Sequence, residues 1–73
     1  MNLYFTKQLK NGKWRLYQIQ QQSIMCWRGS NDKTTAVRTE TGKIVQSDNR
    51  EDLVKYCQER FNYTALQESE VDS

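Results

Sequence analysis

The sequence predicts an α+β fold: an antiparallel sheet of four to five strands in hairpin or meander order, with one C-terminal helix packed on one face. Three observations predict it. Short runs of alternating apolar and polar residues, joined by hairpin-length connections, fill the chain up to about residue 47. The only glycines, Gly12, Gly29 and Gly42, each fall where a turn is needed, and there is no proline. At residue 48 the apolar period changes from that of a strand to that of a helix, in "SDNREDLVKYCQERF".

The first element is a hairpin, "LYFTKQLKNGKWRLYQI", residues 3–19. A two-residue type I′ turn needs positive φ at both central positions, which Asn11-Gly12 adopts at low cost. Such a turn sets Leu9 opposite Trp14, Lys7 opposite Leu16 and Phe5 opposite Gln18. Directly opposed residues share a face, so Leu3, Phe5, Leu9, Trp14 and Leu16 form the expected core side. Tyr4, Thr6, Gln8, Arg15, Tyr17 and Ile19 fall on the other. Lys7 is out of place on the core side and has to reach past it to water.

"QQQ" connects to a third expected strand, "SIMCW" (23–27), in which Ile24 and Cys26 compete with Met25 and Trp27 for the core. "TTAVRTE" (34–40) turns at Thr41-Gly42 into "KIVQS" (43–47), with Glu40 expected opposite Lys43 and Thr39 opposite Ile44. Val37 and Ile44 then face inward while Arg38 and Lys43 face out. β-Branched enrichment supports both strands.

Asp48 followed by Glu51 has the spacing of a capping box, and Asp52 adds negative charge in the first turn, so a helix is expected from Asp48 to Phe61. Leu53, Val54, Cys57 and Phe61 make one helical stripe, expected to cover Leu3, Phe5, Trp14 and Leu16. Asn62 is a stop signal. Residues 64–73 offer few apolar side chains and several acids, and are expected to be an acidic, disordered tail after a single domain of residues 1–63.

Seventy-three residues suffice for one small domain. No apolar run approaches the roughly 18 residues of a membrane span, and "MNLYFTKQ" lacks the layout of a signal peptide. A cytoplasmic protein with no membrane partner is expected. Cys26 and Cys57 make no disulfide framework and read as small buried hydrophobes, unless strand and helix bring them to bridging distance.

Catalysis is poorly supported. Histidine, the commonest general base and metal ligand, is absent. Neither cysteine sits in a nucleophile motif, no glycine loop cradles a phosphate, and two cysteines cannot make a four-ligand zinc site. Asp48, Glu51 and Asp52 are better explained by the helix N-terminus than as a catalytic pair. No enzyme activity, cofactor or metal site is expected.

Binding is the remaining class. Residues 1–46 carry eight basic and two acidic side chains, a net +6, whereas residues 47–73 carry three basic and seven acidic, a net −4. Such asymmetry points to an anionic partner or an acidic tail. The outer side of the first hairpin carries Tyr4, Arg15 and Tyr17, to which the rest of the sheet adds Trp27, Arg28, Arg38 and Lys43. Rings for stacking among cations for phosphates are the ingredients of sheet-based nucleic-acid readers. Tyr and Thr also simply suit exposed strands, and Lys and Arg keep sheet edges soluble. The alternative is a small protein-interaction module, an accessory or inhibitor of the phage or plasmid type, or a homodimer. Trp27, Met25 and Tyr17 would suit its interface core, and an open sheet edge would invite pairing.

"NGKWRLYQI", later strands and then "SDNREDLVKYCQERF" together resemble the three-strand-plus-helix modules at the N-termini of phage-type integrases. The resemblance spans about half the chain and rests on a turn Gly, a strand Trp and a capped helix. It implies a sheet docked in the DNA major groove. The additional strand "NLYFTKQ" departs from that pattern, and no family is assigned on it.

Overall fold

The computed structural model describes residues 2–20 and 33–71. In chain order the elements are β1 (Asn2–Gln8), β2 (Trp14–Gln20), β3 (Lys33–Ala36), β4 (Gln46–Ser47), α1 (Arg50–Phe61), β5 (Leu66–Gln67) and α2 (Glu68–Val71). The fold is α+β, a five-stranded and mostly antiparallel sheet with α1 packed on one face. Strand order is β3-β2-β1-β5, and β4 shares the β3 edge of β2. β5 runs parallel to β1, which makes the sheet mixed rather than purely antiparallel. The expected strand at 23–27 lies outside the described residues.

The first loop differs from the sequence expectation by one residue. Leu9 N–H donates to Lys13 O at 2.7 Å and Gly12 N–H to Leu9 O at 3.0 Å, with Gly12 at φ 88°. This is a three-residue loop, a type I turn closed by a left-handed glycine. Asn11 keeps a negative φ, and its Oδ1 accepts Lys13 N–H at 3.0 Å, so only Gly12 needs the left-handed region. The register becomes Phe5–Tyr17, Thr6–Leu16 and Lys7–Arg15. The second hairpin repeats the geometry. Thr39 N–H donates to Lys43 O at 2.7 Å, Gly42 N–H to Thr39 O at 2.9 Å, Gly42 has φ 88°, and Arg38 bridges Ile44. Val37 and Val45, rather than Val37 and Ile44, are the buried pair.

A slip of one residue exchanges faces. The core under α1 holds Tyr4, Leu16, Val37, Val45, Leu53, Cys57 and Ala65, with Trp14 and Phe61 packed at its margin. Leu16 and Trp14 therefore meet the helix as expected. Leu3 and Phe5 do not; they lie on the other face, in a second cluster with Ile19 and Val71. The three backbones of Leu16, Val37 and Val45 join in a triangle. Leu16 N–H donates to Val45 O (3.2 Å), Val37 N–H to Leu16 O (2.9 Å), and Val45 N–H to Val37 O (2.9 Å). There β2 changes partner from β3 to β4, and its buried backbone groups stay satisfied.

The start of α1 also needs correction. Its N-cap is Asn49, extended at φ −124° and ψ 134° and making no side-chain cap bond, so Asp48 is not the cap. Ser47 organises the turn instead: its Oγ donates to Asp52 Oδ2 at 2.7 Å and accepts Asn49 N–H at 3.2 Å. Asn62 ends the helix as expected, in the left-handed region at φ 52°, with its N–H on Gln58 O at 3.0 Å. Residues 64–71 pack against the rest of the fold. Ala65 is buried in the α1 core, β5 adds to the sheet, and Val71 is only 5% exposed.

Candidate functional site

The sheet face remote from α1 is built by parity. Phe5 is opposite Tyr17 and Lys7 opposite Arg15; on the other edge of β2, Tyr17 faces Ala36 and Arg15 faces Gln46. Val37 and Val45 point into the α1 core, so alternation puts the Arg38–Ile44 pair on the same side as Arg15. Lys7, Arg15, Tyr17 and Arg38 thus share one face.

Arg15 is its central cation. Its Nη2 donates to Gln46 Oε1 at 3.3 Å, whereas its Nε is buried with no acceptor. It has no carboxylate partner among the described residues. Lys7, directly across the ladder, makes a 3.4 Å ion pair with Glu68 of α2. Arg38 is exposed and held by its own loop, with Nη1 on Gly42 O at 2.8 Å. Tyr17 is half-buried and stacks on Phe5, with ring centroids 5.4 Å apart and planes 18° apart.

The other candidates separate from this group. Tyr4 belongs to the α1 core, 8% exposed, stacked on Phe61 at 4.4 Å and edge-on to Tyr63 at 5.4 Å. It is unsuited to stack on a ligand. Lys43 is exposed but pairs with Thr39, one position out of phase with Arg38. Trp27 and Arg28 lie outside the described residues. Lys7 and Gln46 are the additions that sequence reasoning missed. Lys7 carried a signal, since a lysine on an expected core side marks a misplaced register.

A second feature adjoins the Lys7–Glu68 pair, a cleft of about 350 Å³ bordered by Thr6, Lys7, Trp14, Arg50, Gln67 and Glu68. Arg50 lines it, with Nε donating to Thr6 Oγ1 at 2.8 Å and Nη2 to Ala65 O at 3.4 Å. These bonds tie the start of α1 to β1 and to the chain entering β5. Cys57 is fully buried, and burial pushes its thiol up to about 11, so it stays protonated and weakly nucleophilic at neutral pH. Among the described residues no three side chains are grouped to hold a metal ion, and no helix is long and apolar enough to cross a membrane. Compared with protein-family models, curated proteins and solved structures, the chain matches none of them.

Proposed function

We propose that this is a non-enzymatic binding protein that takes a nucleic-acid strand across the sheet face remote from α1. The observation that carries the reading is the Lys7–Arg15 pair. Like charges directly opposite across a ladder oppose folding; Glu68 offsets Lys7, and among the described residues Arg15 has only a neutral partner in Gln46. A phosphate here would give Arg15 a charged partner at the exposed Nη end of its guanidinium, where it now meets only Gln46. Arg38 extends the cationic track along the neighbouring arm, and Tyr17 stands beside it as a partly exposed ring for a base. The lack of histidine and the buried thiol of Cys57 support the non-enzymatic part. A nucleic-acid partner and a free Cys57 fit a cytoplasmic location.

Anisotropy titrations of labelled oligothymidine and oligouridine against salt test it. Affinity is expected to fall steeply with salt as each neutralised phosphate releases its counterion. Arg15→Gln or Arg38→Gln should flatten the log–log slope by about one unit. Tyr17→Ala should weaken single-strand binding by about 1–3 kcal/mol with the slope nearly unchanged. No binding tighter than about 100 μM at low salt, the loose end of ordinary non-specific affinity, overturns the proposal and leaves a protein partner as the better account.

A further inference from the structure

We infer that the acidic C-terminal turn α2 occupies part of the cationic face in cis and has to be displaced by the incoming strand; the inference rests on the nucleic-acid reading of that face. Three observations lead to it. Glu68 places its carboxylate 3.4 Å from Lys7 Nζ, where a phosphate would otherwise sit. Val71 packs with Phe5 and Ile19, beside Tyr17, so the end of α2 lies on the cationic side of the sheet, while Glu68 and Ser69 at its start border the cleft between β1 and Arg50. Charge also complements along the chain, with a net +6 up to residue 46 meeting a net −4 beyond it.

The cover is built to yield. A helix of four residues has no stability of its own, and β5 adds only two residue pairings to β1. The Lys7–Glu68 pair is about half exposed on both sides, at 49% and 44%, where an ion pair contributes little and is screened by salt. Val71 anchors α2 by burial against Phe5 and Ile19. Such segments open locally at far lower cost than the whole domain. Glu68 pairs with Lys7, and among the described residues Arg15 has no carboxylate. A strand can therefore engage Arg15 first and then replace Glu68 on Lys7.

Glu68→Gln tests this, because it removes the competing charge while keeping the side-chain size. Glu59→Gln is the control: Glu59 is exposed on α1, across the sheet, and its substitution changes net charge equally. The same labelled oligonucleotides are expected to bind Glu68→Gln about three-fold tighter than the parent, on the scale of one exposed ion pair. Glu59→Gln should match the parent. Val71 methyl signals should shift as oligonucleotide saturates the parent. If Glu68→Gln binds no tighter than Glu59→Gln, or the Val71 signals stay in place at saturation, the displacement is overturned and the nucleic-acid reading survives. If neither the parent nor Glu68→Gln binds, both are overturned.

Discussion

Replacing Lys10 by proline tests the loop on which the whole sheet register depends. Gly12 N–H donates to Leu9 O at 3.0 Å, and neither Lys10 nor Asn11 has a positive φ. Lys10 is therefore the second residue of a type I turn, a position where the fixed φ of proline fits. It is exposed, and among the described residues its N–H has no backbone acceptor. Proline there removes no hydrogen bond and restricts the unfolded chain, for an expected gain of about 0.4–1 kcal/mol. In a domain of this size that raises Tm by about 2–8 °C. The two-residue turn requires the opposite. Lys10 would then close the ladder against Lys13, and proline would break the pairing and destabilise the hairpin. Gly12→Ala is the companion variant. A Cβ at Gly12 meets nothing within 4 Å, so its cost is the left-handed backbone alone, about 1–2 kcal/mol. Thermal and urea unfolding followed by circular dichroism measures both. A Lys10→Pro protein that melts below the parent refutes the three-residue loop, and with it the Lys7–Arg15 pairing.

Three further outcomes are expected. Phe61→Ala should cost about 2–3 kcal/mol in urea unfolding, below the usual figure for a fully buried ring because Phe61 is only partly buried, yet substantial because its stack on Tyr4 is lost; an unchanged midpoint would contradict the packing of α1. Asp48→Ala should stay within about 0.5 kcal/mol of the parent, whereas Asp52→Ala, which strips Ser47 Oγ of its acceptor, should lose about 0.5–1.5 kcal/mol. Equal losses would return the capping role to Asp48. Burial raises the Cys57 thiol from 9.0 to about 11, so its stabilisation is full below pH 9 and is lost as the pH climbs to 11. That is roughly 2–3 kcal/mol at most. Cys57→Ala should lower stability at neutral pH yet flatten this part of the profile; a parallel profile would mean that other groups cause the alkaline loss.

Local patterns along the chain suffice for the α+β class, the turns at Gly12 and Gly42, the helix end at Asn62 and the burial of Leu53 and Cys57. These follow from period, from the left-handed tolerance of Gly and Asn, and from an apolar stripe, all properties of a few neighbouring residues. Which face of the first hairpin meets the helix was decided only in the tertiary structure. Leu3, Tyr4 and Phe5 are apolar in succession, so β1 suits a core on either side, and one residue of loop length chose between them. The same choice moved Tyr4 into the core and set Lys7 against Arg15, which is why the candidate surface was legible in its residue types and not in its membership. The C-terminal segment follows the same logic. Leu66 and Val71 look too few among acids to hold a fold, when counted along the chain. The far side of the sheet presents Phe5 and Ile19, and the nearby chain that can cover them includes Val71. Burial of that second face depends on what every other element leaves uncovered, a quantity that no local stretch of sequence contains.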